Sequence, residues 1–504
     1  QPQGDQAQAI DPSRSLVLFA IWILLILVGS PLLNMLHQYL GARVDQHVTI
    51  RLQNDTLRRV LGQPLPYFVK TRLTSILNML GPMCRETRHA IRLVFLDTPT
   101  MAIILAAGMG MVVERLHQIT SAPVGPEIWA VIVVLLLAAL ATPLLVERFG
   151  KRLGVTEFDL IDKEEALSSL TRSGVQSAEE LKAFDAVDWY ARRQKKRLEE
   201  VAVSDIRQTV TIEKVNFVNL LPSHVMQGLL IAAALLIAIR AGANTPQVGA
   251  LVTLLIIVPQ LMRPLQGASA LLMTLQKSWP NIARVFGMLQ RDSEEEVDEA
   301  PGPASPAGDP AAVSIRDLVF RYEADGPAIL DGASFDLPPG KVTGLVARMG
   351  AGKTTFFRLL MRFFRPGSGT IAIDGKPLDD LPLRQLRREV TMMAQFPVFS
   401  PDTIRDNHRL AAPAATDDEL VEVCELTGIW AVLERNFGEG LSASELLDRP
   451  FASGSELSGG QRKLFALSRC LLRHPRLLLL DEPTTGIDNI EKFALLERLR
   501  NACD

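Results

Sequence analysis

Residues Leu457–Glu482 read LSGGQRKLFALSRCLLRHPRLLLLDE. Ser458-Gly459-Gly460-Gln461 open a helix expected to run through Arg473. Four leucines, Leu477–Leu480, then form an apolar strand that ends in Asp481-Glu482. A carboxylate pair at a strand end can be structural. After four leucines and before Pro483-Thr484-Thr485, the catalytic reading is the stronger one. Upstream lies Met349-Gly350-Ala351-Gly352-Lys353-Thr354-Thr355. The short apolar stretch Lys341–Val346 precedes it as a predicted strand, and Phe356–Leu360 follows as a predicted helix, which is the context a phosphate loop requires. Gly350 and Gly352 let backbone N–H groups turn inward on phosphates at the positive end of that helix. Lys353 would reach the β- and γ-phosphates, and Thr354 would ligate Mg²⁺. The order along the chain is phosphate loop, Gln395, Ser-Gly-Gly-Gln, acidic strand end.

This ordered set resembles the nucleotide-binding domain of ATP-binding cassette (ABC) transporters, over about Val313 to Asp504. The resemblance implies ATP and Mg²⁺ as cofactors. Glu482 would be the general base that polarises the attacking water, with Lys353 and Gln395 beside it. Thr354, Gln395 and Asp481 would hold the metal. Gly350, Ala351, Gly352, Lys353, Thr354 and Thr355 would bind the nucleotide, and Asp488 fits the Asp that ends the loop after the acidic pair. Ser458, Gly459, Gly460 and Gln461 would bind the γ-phosphate held by an opposite ATPase domain, so the working unit would be a dimer of two half-transporters. The alternating segment Val313–Tyr322 reads as a strand. Tyr322 at its end resembles the family's adenine-stacking aromatic, the other reading being cross-strand packing. One departure is Ala347, where the general phosphate-loop pattern has Gly; Ala is disfavoured there if the site needs a positive φ. The family's switch His lies on a strand after the helix Asn489–Ala502, and no residue up to Asp504 can take that role.

The 504 residues argue for more than one domain. The chain is 48% hydrophobic with 22% charged residues, and the apolar residues concentrate in the first 290 positions. A net charge of −3 gives no sign of nucleic-acid binding. Cys84, Cys424, Cys470 and Cys503 are scattered and show neither a disulfide framework nor metal-ligand spacing. Five stretches are long enough for a bilayer, which takes about 20 residues of helix. They are Leu16–Leu36, Leu93–Val113, Ile128–Val146, Phe217–Ile239 and Val248–Leu275. Trp129–Leu140 has no polar face, which argues against a soluble core helix.

Loop charge sets the orientation. Nine basic residues lie between the first two spans, from Arg43 to Arg92, and more between the third and fourth, including Arg192-Arg193 and Lys195-Lys196-Arg197. The short connections hold one each, Arg115 and Arg240. The long loops are therefore expected in the cytoplasm, together with the ATPase domain. Gln1–Pro12 is polar, lacks a basic signal region, and is expected outside.

Gly41–Phe68 resembles the helical extension after the second span of ABC exporters, and Gln247–Leu289 their last span. Family members have six spans per half, so the missing one is expected before residue 1 of a trimmed or processed chain. Coupling helices are implied near Thr71–Cys84 and Leu170–Ser177, and Glu179–Lys196 has helical periodicity. His224 and Arg263 are polar groups within spans, each readable as a substrate contact or as a structural feature. Asp292–Ala312 is acidic and Pro-rich, and reads as a flexible linker.

The expected fold class is thus an all-α transmembrane domain, with five spans seen and six expected, followed by an α/β P-loop ATPase domain. The expected bounds are 1–291, 292–312 and 313–504. The expected function is ATP-driven export of an unidentified small molecule, lipid or peptide by a half-transporter in the plasma (inner) membrane. The alternative is a weakly hydrolysing regulatory subunit of a heterodimer, motivated by Ala347, the segment Gly438–Ser455 and the end at Asp504.

Overall fold

The computed structural model describes residues 12–100, 102–103, 106, 126–241, 246–294, 309–348, 350–438, 440–451, 454 and 456–503. In chain order the helices of the first part are α1 (Pro12–Leu61), α2 (Leu65–Lys70), α3 (Leu73–Asn78), α4 (Cys84–Arg92), α5 (Pro126–Gln176), α6 (Ala178–Ala183), α7 (Val187–Ala241) and α8 (Pro246–Leu289). The second part contains β1 (Val313–Phe320), β2 (Leu330–Leu337), α9 (Lys353–Leu360), β3 (Ser368–Ile373), β4 (Lys376–Pro377), α10 (Leu383–Glu389), β5 (Val390–Met393) and α11 (Ile404–Arg409). It continues with α12 (Asp417–Thr427), α13 (Trp430–Phe437), α14 (Ala443–Leu447), α15 (Gly459–Leu471), β6 (Leu477–Leu480) and α16 (Asn489–Cys503).

The chain divides into two compact units. The first holds residues up to Leu61 and Thr71–Arg291, and is helical. At about 1.5 Å per residue its long helices exceed the roughly 30 Å of a hydrocarbon core by twofold or more. Among the described residues no helix is long and apolar enough to cross a membrane. The expected spans Leu16–Leu36, Ile128–Val146, Phe217–Ile239 and Val248–Leu275 lie mainly outside the described side chains, as do Arg263 and most of the span expected over Leu93–Val113 after Thr100; Gln1–Asp11 are also outside. His224 is exposed on α7.

Among the described side chains α5, α7 and α8 pack around Leu153, Val215 and Met273. Arg284 ties α8 to α5 through Asp162 and Glu165, each at 3.0 Å. The helix expected through Glu179–Lys196 is broken: Asp185 takes a φ of 51° between α6 and α7. A left-handed residue cannot continue a right-handed helix, and Asp is among the few that tolerate it.

The second unit joins Asp292–Asp504 to Gly62–Lys70. Glu294 N–H donates to the Gly62 carbonyl at 2.8 Å, and the Glu294 carboxylate pairs with Arg387 at 2.8 Å. At the far end of the predicted linker, Arg476 donates to the Asp309 carbonyl at 2.7 Å and pairs with Asp374 and Glu389. Both ends of that segment are therefore hydrogen-bonded; its middle, 295–308, is outside the described residues.

Two sheets form among the described residues. One is antiparallel, in the order β2-β1-β3-β4; the other is the parallel pair β5-β6. The strand expected over Val313–Tyr322 ends at Phe320, and a register shift follows Arg316, where Asp317 takes a φ of 47°. One core packs β1, β3 and α9, with Ile315, Leu318, Phe356, Leu359, Ile371 and Leu479. A second core gathers α12–α15 around Phe451 and Phe465, whose rings stack at 4.9 Å.

The strand predicted over Lys341–Val346 does not form. All six residues are exposed, Val346 at 95%, and none is paired to a neighbour. Apolar alternation makes a strand only where another strand completes its ladder and its inner face is covered.

Candidate nucleotide site

The parallel register of β5 and β6 builds the centre of the site. Met393 lies opposite Leu480, and Asp481 N–H extends the ladder to the Met393 carbonyl at 3.3 Å. Two residues beyond each strand, Gln395 and Glu482 therefore meet. Gln395 Nε2 donates to Glu482 Oε2 at 3.0 Å. Thr485 Oγ1 reaches the same oxygen at 3.4 Å. Glu482 has a φ of 50°, so the chain turns sharply after β6.

The phosphate loop arrives from the other side. Gly352, at a φ of 89°, is the N-cap of α9. Any Cβ there would lie 2.9 Å from the Ile329 side chain, so both backbone conformation and space demand glycine. Gly350 also has positive φ, and Ala351 N–H bonds the Arg348 carbonyl at 3.1 Å. Met349 lies outside the described residues. Lys353 Nζ donates to the carbonyls of Ala347 and Arg348, at 3.1 and 3.3 Å, and so folds back over its own loop. Ala347 is not among the residues with positive φ, which removes the objection to Ala at that position. Thr354 Oγ1 donates to Asp481 Oδ2 at 2.7 Å, and Asp481 is 3% exposed. That contact joins the two halves of the site. Hydroxyl and carboxylate oxygens are the hard donors Mg²⁺ prefers, so the pair fits that ion.

Tyr322 is engaged by two aromatic neighbours. Its ring meets Phe320 and Phe364 in T-shaped contacts at 5.0 and 5.2 Å, and its hydroxyl shares a hydrogen bond with Thr355 at 3.0 Å. Arg358 donates to the same hydroxyl at 3.3 Å. Phe320 ends the strand that leads to Tyr322 and Phe364 lies beyond α9, so neither is a residue of a facing strand, and the ring keeps 42% exposure.

Ser458 caps α15: its side chain accepts from Gln461 N–H at 3.3 Å, and Gln461 Oε1 accepts from Ser458 N–H at 2.9 Å. This reciprocal capping box satisfies two otherwise unpaired donors. Gly459 is open on its outer side, whereas a Cβ on Gly460 would lie 2.4 Å from the Gly486 carbonyl oxygen. Among the described hydrogen bonds none joins Ser458–Gln461 to the phosphate loop of the same chain. Asp488 is exposed, and its carbonyl accepts from Lys492 N–H at 2.8 Å in the first turn of α16.

Two buried groups escaped the sequence reading, one of them beside the site. Lys463 lies one turn beyond Gly460, on the same helix face. Its Nζ donates to the Glu482 carbonyl at 2.6 Å. Burial pushes its pKa down, and the charges of Glu482 and Asp481 act against that shift. The other is His408, fully buried under α15, with Nε2 3.0 Å from Ser468 Oγ and Nδ1 3.0 Å from the Ile404 carbonyl. Burial pushes its pKa down to about 4, and that of neighbouring Cys424 up to about 12. The spacing of Lys463 from Gly460 was a signal available in the sequence. His408 and Ser468 are 60 positions apart, and nothing local links them.

A phosphate loop with Thr354–Asp481 and Gln395–Glu482 in contact, in a chain that also holds a helical unit, defines the class of P-loop ATPases. The comparisons narrow the class. Residues 3–265 match the ABC transporter transmembrane region, and residues 330–485 match the ABC transporter family. The chain belongs to the ABC transporters, with the domain order of an exporter-type half-transporter. It is 29% identical over 324 residues to the mitochondrial iron-sulfur clusters transporter ABCB7 of Oryzias latipes, covering 64% of this chain and 42% of that protein. It is 31% identical over 263 residues to the ATP-dependent lipid A-core flippase of Thiobacillus denitrificans, covering 51% of this chain and 44% of the flippase. The chain thus spans less than half the length of both relatives. A bacterial Atm1-family ABC exporter solved with ATP bound shares the fold, with a TM-score of 0.82 at 22% identity, over 99% of this chain and 83% of the exporter.

Proposed function

We propose that this chain is one half of an ATP-driven exporter, hydrolysing ATP at a site built from Lys353, Thr354, Gln395, Asp481 and Glu482. The observation that carries the proposal is the parallel register of β5 and β6, which sets Gln395 against Glu482 at 3.0 Å. Glu482 then takes the proton of the attacking water, and Gln395 holds its carboxylate in line. Lys353 swings from its own loop carbonyls onto the β- and γ-phosphates, aided by the N–H groups at Gly350–Thr355. Asp481 and Thr354 hold the magnesium ion, which when bound offsets the charge on the phosphates. Tyr322 takes the base on its exposed face.

Ser458–Gln461, free of their own phosphate loop and with Gly459 open, serve the nucleotide of a second half-transporter, so the working unit is a dimer. The ATPase domain lies in the cytoplasm, and the chain spans the plasma (inner) membrane. What the named relatives move differs in kind, an iron-sulfur cluster in one case and lipid A-core in the other. The cargo here is accordingly placed no more narrowly than a small molecule, lipid or peptide. The reading as a weakly hydrolysing regulatory partner loses one support, because Ala347 needs no positive φ.

The test is Mg²⁺-dependent phosphate release by the reconstituted chain and by Glu482→Gln. Loss of a general base lowers the rate about 10²- to 10⁴-fold. A variant that hydrolyses at the parental rate removes Glu482 from the role.

A further inference from the structure

One buried cation beside the site has no part in that mechanism. Lys463 is 7% exposed, and its Nζ lies 2.6 Å from the carbonyl oxygen of Glu482. Glu482 is one of six non-glycine residues with positive φ among those described. Such a conformation is disfavoured for a side chain with a Cβ and persists only where its surroundings hold it. Here the holding groups can be named. Gly460 packs against Gly486 so closely that no Cβ fits between them. One turn further along α15, Lys463 grips Glu482. The helix thus fixes both ends of the five-residue turn that follows β6, while Gln395 and Thr485 hold the carboxylate that the turn presents.

We propose that Lys463 is a positioning residue for hydrolysis: its ammonium holds the Glu482 carbonyl and thereby the left-handed backbone that keeps the Glu482 carboxylate against Gln395. The inference rests on the reading of Glu482 as the base. It makes a particular demand on kinetics, because among the described hydrogen bonds Lys463 reaches neither the phosphate loop nor Tyr322. Its loss acts on the chemical step and leaves nucleotide affinity alone. An arginine, which also donates from a long stem, restores the grip.

The experiment measures ATP-dependent phosphate release by the full chain in lipid nanodiscs, with Lys463→Met, Lys463→Arg and Glu482→Gln in parallel. Misplacing a catalytic group by about 1 Å costs up to about 100-fold, so Lys463→Met is expected to lower kcat about 10- to 100-fold. KM for ATP stays within about threefold, and Lys463→Arg recovers most of the rate. An unchanged kcat in Lys463→Met overturns the proposal, as does a fall in kcat accompanied by a matching rise in KM that Arg does not repair. Should Lys463→Met fail to fold, Lys463→Gln, which keeps a donor but shortens the stem, is read by the same two criteria. The two readings fail separately. An active Glu482→Gln removes the base itself; an inactive Glu482→Gln beside a fully active Lys463→Met removes only the positioning role.

Discussion

The two arms of the nucleotide site are built on opposite principles. The acidic arm grows from β6, which is paired along its length to β5 and buries Leu479 in the sheet core. It is braced from behind by α15 through Lys463 and Gly460. The phosphate arm grows from Lys341–Arg348, which is exposed and pairs with no strand, and α9 begins after Gly352. Both arms carry an apolar strand pattern in sequence. The difference teaches that the pattern measures the capacity to pair, and that a partner decides whether pairing occurs. It also assigns different duties. A base that must point at one water benefits from a rigid mount. A loop that must close on phosphates is served by backbone N–H groups and a lysine on a flexible stem, which rests on its own carbonyls and can exchange them for phosphate oxygens.

Substitutions can break this comparison at several depths. The largest effect belongs to the end of the acidic arm, where Glu482→Gln is expected to abolish nearly all hydrolysis while nucleotide binding persists. Beneath it, Lys463→Met separates the mount from the group mounted.

The strand itself comes next. Leu479→Ala removes a buried side chain from the paired arm and should cost about 2–5 kcal/mol in urea unfolding of the ATPase unit. A cost under about 0.5 kcal/mol, the level of ordinary surface changes, means that β6 is not the rigid element described.

Acid probes the brace. Burial sets the His408 pKa at about 4 in the folded chain, against an ordinary value of 6.5, so the imidazole is neutral when folded. As pH falls below about 6.5 the unfolded chain takes up a proton that the folded chain refuses. Stability is therefore full above about 6.5 and declines until about pH 4, by roughly 3 kcal/mol in total. Denaturant unfolding at pH 7 and pH 5 measures this slope, and His408→Gln should flatten it. An unaltered slope in that variant places the acid sensitivity elsewhere.

The smallest effect is expected on the phosphate arm, where Val346→Thr should change unfolding stability by less than about 0.5 kcal/mol. A loss as large as that of Leu479→Ala would show that Val346 is buried in solution, and the contrast between the arms would vanish.

Much of the site was legible because its parts are local. Glycines before Lys353, a Ser-Gly-Gly-Gln segment that opens a helix and an acidic pair after four leucines each need only a few neighbouring residues to be recognised. The helix break at Asp185 and the end of β1 at Phe320 were missed for a related reason. Periodicity runs straight through both places, and a single backbone angle or a register shift interrupts it.

The sequence by itself determined the order of the motifs, the family, the long helices ahead of the ATPase domain, and which residue types could bind phosphate, hold a metal and take a proton. Tertiary structure alone decided which of them meet. Gln395 reaches Glu482 because a parallel ladder sets residues 87 apart in the chain side by side. Thr354 reaches Asp481 across 127 positions. Lys463 became part of the site only when α15 packed against the turn after β6. Pairing, packing and the closing of a buried hydrogen bond depend on groups distant in the chain, and no local window of residues contains both partners.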